Sequence, residues 1–186
     1  MGPRKALVAG VFLAWVAAGA AAEPLTVVGS CREGLPNGAY ELRMTDGQLR
    51  AVGAFSYGKK TGTFIFWTPG GARVAVIPYD SDARNGTVAL WYVGSGDRIE
   101  AGRRLEARYV DDHRHGITRS WHTNGALRSE YRYEHGQLIE ARAWTEAAAA
   151  LPEARARELA LRDAESDQAL IGALVSAVDD NLPRCD

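Results

Sequence analysis

Residues 116–133 read Gly-Ile-Thr-Arg-Ser-Trp-His-Thr-Asn-Gly-Ala-Leu-Arg-Ser-Glu-Tyr-Arg-Tyr. Two strand-forming runs flank Asn124-Gly125, a dipeptide that tolerates positive φ and closes β-hairpins. The same arrangement recurs along the chain. With Gly38, Gly62, Gly86 and Gly116 as marks, the fifth residue after each is Arg43, Trp67, Trp91 and Trp121. The ninth is Gly47, Gly71 and Gly125, with Gly96 arriving one residue late. Eight further on stand Phe55, Tyr79 and Tyr133, and Tyr109 lies seven residues before Gly116. The marks are 24, 24 and 30 residues apart, and the surplus falls between Gly86 and Tyr109. After Tyr133 the seventh residue is Glu140 and not glycine, so the pattern is read as lapsing there. Cys31, seven before Gly38, marks a partial unit at the start. Agreement in four registers identifies an internal repeat.

Each unit reads as a hairpin. Residues 63–67 and 87–93 are rich in β-branched and aromatic side chains. Asp46-Gly47, Gly70-Gly71 and Asn124-Gly125 supply turns, and a further turn is expected at Asn37-Gly38, Asn85-Gly86 and His115-Gly116. One hairpin cannot bury its face alone, whereas several stacked in register can. The expected repeat core is Phe55, Tyr79, Tyr109 and Tyr133 together with Trp67, Trp91 and Trp121. For the tryptophans a ligand-stacking platform is the alternative.

The Gly-x-x-x-x-Trp starts (Gly62 to Trp67, Gly86 to Trp91, Gly116 to Trp121), the stretch 121–131 and the Tyr-x-x-Gly close of Tyr133 to Gly136 resemble the bacterial variant of MORN-type repeats, found in antitoxin-like repeat proteins. The resemblance covers about residues 38–144 and departs from the pattern at Arg43 and in the interrupted third unit. It implies an elongated or curved antiparallel sheet that serves as a scaffold or binding surface. It implies no chemistry. Family members are credited with protein binding, with membrane association in some eukaryotic cases, and with toxin neutralisation in some bacterial ones.

The two ends differ from the middle. Arg4 and Lys5 precede 17 uncharged residues, Ala6 to Ala22, which close on Ala20-Ala21-Ala22 before Glu23-Pro24. This reads as a cleaved secretory signal peptide, residues 1–22; an uncleaved anchor would need about 20 apolar residues. The mature chain then carries 20 basic against 23 acidic residues and is expected in the periplasm or outside the cell. In an oxidising compartment Cys31 and Cys185, the only 2 cysteines, read as one disulfide, with two unrelated buried thiols as the alternative. From residue 146 to 180 helix formers dominate. Ala156, Ala160, Ala164, Leu170, Ile171, Leu174, Val175 and Val178 form an apolar stripe, with Arg155, Arg157, Glu158, Arg162, Asp163, Glu165 and Asp167 on a solvated side. The expected fold is therefore mainly β. Stacked antiparallel hairpin repeats over 23–144 are followed by a C-terminal α-helical cap over 145–186, packed as one domain.

Candidate sites are sparse. The interruption and the turn after it form a candidate partner-binding loop: Ser95, Asp97, Arg98, Glu100, Arg103, Arg104, Arg108, Asp111, His113, Arg114 and His115. A long, functionally neutral hairpin is the competing account. Asp111-Asp112-His113-Arg114-His115 has metal-ligand residue types, but it occupies an interrepeat turn where polar residues collect, so no metal or cofactor is expected. No nucleophile elbow, zincin helix or phosphate loop is present. A formal net charge of -1 argues against nucleic acid. The expectation is a non-enzymatic exported protein-binding module of immunity or antitoxin type. Its expected partner is a protein, such as a secreted or delivered toxin acting in the cell envelope. An envelope structural or lipid-associating repeat protein is the alternative, with an enzyme less favoured than either, and free sheet edges leave a dimer open.

Overall fold

The computed structural model describes residues 24–94 and 102–186. The expected signal peptide, 1–22, lies outside the described residues, as do Ser95, Asp97, Arg98 and Glu100 of the expected loop. The fold is mainly β. One open sheet contains β1 (Leu25–Arg32), β2 (Leu35–Met44), β3 (Leu49–Ser56), β4 (Lys59–Trp67), β5 (Arg73–Asp80), β6 (Ala83–Arg84), β7 (Gly86–Trp91), β8 (Arg103–Val110), β9 (His113–Trp121), β10 (Leu127–Glu134) and β11 (Gln137–Ala143). A single helix, α1 (Glu153–Asp179), follows. Strands lie in chain order, each antiparallel to the next, and the short β6 pairs only with β5. No described helix is long and apolar enough to cross a membrane.

The repeat is visible in the backbone. Glu33-Gly34, Ser81-Asp82, Asp111-Asp112, Tyr57-Gly58 and His135-Gly136 all have positive φ at both residues, which suits two-residue turns whose twist matches the flanking strands. These turns stand four or five residues before the marker glycines, so the turns expected at Asn37-Gly38, Asn85-Gly86 and His115-Gly116 are corrected. The marker glycines also have positive φ, but they sit inside the hairpins next to register shifts. Successive turns are tied together. The amides of Gly58, Asp82, Asp112 and Gly136 donate to the carbonyls of Pro36, Lys60, Arg84 and Arg114, residues in equivalent places of successive units.

The repeat also continues past Glu140. Thr145 N–H donates to Ala149, Ala148 N–H donates to Thr145, and Ala148 takes the left-handed φ of 59° that glycine holds in the other units. Trp144 forms a bridge with Ala150 and thus occupies the tryptophan position of a further hairpin turn. The boundary expected at 144 accordingly moves into the turn before the helix.

Side chains on one sheet face form the core. Tyr40, Phe55, Phe64, Phe66 and Tyr79 make edge-on and stacked ring contacts. Gly53 permits this, because a Cβ there would lie 2.5 Å from the Phe64 ring. The helix crosses this face from the last hairpin to the first. Its 27 residues span about 40 Å at 1.5 Å each. Ten strands in sequence, spaced about 4.8 Å, span roughly 43 Å. The cap is therefore as long as the sheet is wide. Ile171, Leu174 and Val178 join the large apolar cluster, each contributing roughly 1.5–3 kcal/mol by burial. Ala156 and Ala160 pack on Tyr131, Tyr133, Ala141 and Ala143 at the other end.

Beyond the helix, Tyr40 donates its hydroxyl to the Asn181 carbonyl, and Cys185 is bonded to Cys31 with Cα atoms 5.6 Å apart. The disulfide suggests an oxidising, non-cytoplasmic location. It joins residues separated by 154 positions. Replacing both cysteines by serine is expected to cost about 2–5 kcal/mol, read as a lower urea midpoint with a steeper slope, because the unfolded chain without the cross-link exposes more surface.

Burial also raises the hydroxyl pKa of Tyr40, Tyr79 and Tyr131. The unfolded chain ionises these groups near pH 10 while the native chain keeps them neutral. Their contribution is thus complete below about pH 10 and is lost as pH rises toward the native values. Each should reduce stability by up to about 1.4 kcal/mol per pH unit in that range. Urea titrations at pH 8, 10 and 11 check this, and Tyr131→Phe should flatten the alkaline slope.

Candidate functional site

A polar interruption divides the core. The second residue after each marker glycine faces the helix and is Tyr40, Phe64, Val88 and then Thr118, all buried. The fourth is Leu42, Phe66, Leu90 and then Ser120. Both rows are apolar through three units and switch to hydroxyls in the fourth. Every unit also carries a β-bulge in equivalent register, at Arg50, Val74, Arg104 and Arg128, where one strand has an extra residue. Bulges re-aim side chains. At Arg104 and Arg128 this one directs guanidinium groups toward the helix.

Arg104, Arg114 and Arg128 meet Asp163 and Asp167 of α1 around a cavity of about 210 Å³, also lined by Tyr92, Leu105, Thr118, Ser120 and Tyr131. Asp167 is only 2% exposed and accepts from Arg104 Nη2 and Arg114 Nη2, each at 2.8 Å. Asp163 receives both terminal nitrogens of Arg128, at 2.6 and 2.9 Å, and the Tyr131 hydroxyl at 3.1 Å. Ser120 and Ser129 share a hydrogen bond of 2.6 Å. Arg114 Nε donates to Tyr109 at 3.2 Å, and its guanidinium carbon lies 5.5 Å from the centre of the Tyr133 ring.

Burial pushes the Asp167 carboxyl above the ordinary aspartate value, and the guanidiniums of Arg114 and Arg104 offset this only in part. Burial works against the Arg114 charge as well, but Tyr109 and Asp167 outweigh it and raise its pKa. The Arg128 pKa rises mainly through its hydrogen bonds to Asp163. Three guanidiniums and two carboxylates line the cavity, and both carboxylates are held by arginines.

The expected solvated side of the helix is thus corrected at Asp167, which is buried, and at Asp163, which is half-buried against the sheet. The candidate loop is divided in the same way. Arg104 and Arg114 turn inward under the helix, while Arg103 pairs with Glu106, and Arg108, Asp111 and His113 are exposed. His115 and His135 form an edge-on ring pair, and His122 bonds the Trp144 carbonyl. Among the described residues no three His, Cys, Asp or Glu side chains gather in a metal-holding group.

The core aromatics Phe55, Tyr79, Tyr109 and Tyr133 are buried, whereas Trp67, Trp91 and Trp121 are half-buried. Each tryptophan follows a core-facing residue and so belongs to the opposite face, where Arg73 lies 4.1 Å over the Trp91 ring. Among the described residues no helix lies on that face. One straight row crosses it: Glu41, Val52, Ile65, Val76, Ala89, Glu106, Arg119, Glu130 and Arg142, each opposite the next. The row is apolar beside Trp67 and Trp91 and alternates in charge toward β11, with Arg119 and Glu130 bonded at 2.9 Å.

No protein-family model and no curated protein matches the chain. Asp167→Asn should leave two buried guanidiniums without their shared charge and cost about 3–5 kcal/mol. Asp163→Asn, in a wetter place, should cost about 1–3 kcal/mol. Urea unfolding of the two variants at pH 7 checks the order.

Proposed function

We propose that this chain is a non-enzymatic, exported protein-binding module whose recognition surface is the uncovered face of the hairpin sheet. The observation that carries this reading is the division of labour between the two faces. The helix seals one, while the other presents an apolar strip, Val52 to Ala89, edged by Trp67 and Trp91 and continued by a ladder of alternating charge. Half-buried aromatic residues beside arginine are the side chains that dominate protein interfaces. Opposed charges further along set register and exclude wrong partners.

The stacked hairpins and the disulfide support kinship with the antitoxin-like MORN variants and residence in the periplasm. On that reading the partner is a toxin or effector acting in the cell envelope, and the module occupies and blocks it. An anionic lipid surface is a poorer fit, because Arg103 and Arg119 on this face are paired with Glu106 and Glu130.

Immobilised mature protein should capture one defined partner from periplasmic extract. Trp91→Ala and Ile65→Glu should each weaken that capture by tenfold or more while shifting the melting temperature by only a few degrees. Retention of full affinity by both variants removes the sheet face as the recognition surface. Capture by anionic vesicles in place of a protein supports the lipid reading instead.

A further inference from the structure

We propose that the cavity between helix and sheet is a binding site for a small oxyanion, a carboxylate or phosphate of a few heavy atoms. Three observations on the described residues converge on it. Arg114, which lines the cavity, is 8% exposed, and its buried Nη1 has no hydrogen-bond partner, although Nε and Nη2 are satisfied by Tyr109 and Asp167. A buried guanidinium N–H left without an acceptor is costly, and an oxyanion supplies the planar or forked acceptor that guanidinium groups match. Three arginines and two aspartates gather around it, so the lining offers guanidinium N–H groups from more than one side.

The repeat provides the third observation. Positions that hold Val88 and Leu90 in the third unit hold Thr118 and Ser120 in the fourth, so the space is produced by substitution within a pattern that elsewhere fills it. Hydroxyls there can donate to a guest that the guanidiniums attract. The volume of about 210 Å³ is that of several water molecules, at about 30 Å³ each, so the guest is small. The site is separate from the open sheet face, and its occupation would stabilise the junction of helix and sheet by mass action.

The repeat also supplies the control. The double variant Thr118→Val, Ser120→Leu brings in the residue types of the third unit, narrows the cavity and removes no ion pair, taking away only the Ser120 hydroxyl that Ser129 and Arg128 share. Mature protein is titrated calorimetrically with inorganic phosphate and, separately, with malonate, against sodium chloride of equal ionic strength. The expected result is saturable binding of at least one probe with Kd below about 1 mM, weakened tenfold or more in the double variant. Phosphate alone or malonate alone decides between tetrahedral and planar guests. A readout that needs no variant is the Arg114 Nε–H resonance, which should shift along the same saturation curve. Absence of saturable binding by both probes overturns the proposal, as does undiminished binding by the double variant or an unmoved Arg114 resonance.

Discussion

A single layer of hairpins has two faces and nothing inside it, so its stability depends on what covers one of them. Here that cover is one helix whose length equals the width of the sheet. Hydrophobic contact alone is unevenly distributed along it. Ile171, Leu174 and Val178 anchor the end over the early units, and small alanines at 156 and 160 let the helix approach the last ones. Between these clusters the two layers are joined by charge.

Charge in that position fixes register more than it adds stability. Replacing a buried ion pair by well-packed apolar groups is often neutral or favourable, whereas mismatching one is expensive. A slide of α1 by one turn, about 5.4 Å, would carry Asp163 and Asp167 away from the guanidiniums that meet them. Lys60 with Asp179 and Arg84 with Gln168 repeat the arrangement along the rim of the sheet. An apolar stripe tolerates such a slide far better than point charges do. Of the four bulge residues, Arg104 and Arg128 reach under the helix to Asp167 and Asp163, so these two arginines are structural.

Much of this was legible in the spacing. Gly-x-x-x-x-Trp and the aromatic that closes each unit located the hairpins, and Cys31 with Cys185 pointed to the closure of the chain. Gly38, Gly86 and Gly116 point to turns several residues late because a glycine with positive φ serves equally for a turn and for an irregularity within a strand. The last hairpin carries no glycine to mark it, because Ala148 adopts the conformation that glycine signals elsewhere. The tryptophans read as core because large aromatics usually go there, but strand alternation after buried Phe66 and Leu90 puts the next residue on the far face. The charged cavity was hidden by polarity. Asp163 and Asp167 follow Ala160 and precede Ile171 at helical spacing, and that periodicity was the available signal; reading carboxylates as solvated obscured it.

The covalent link between β1 and the residues beyond the helix has a mechanical consequence. Nearly the whole fold lies within a loop whose ends are the same bond, so tension applied at the two ends of the chain passes through sulfur and bypasses the sheet. A stacked array normally peels from its terminal unit, one hairpin at a time. In this molecule the first strand and the capping helix cannot part company without leaving together. While the bond holds, an unfoldase or a translocating pore that grips one terminus must thread a closed loop instead of a single strand.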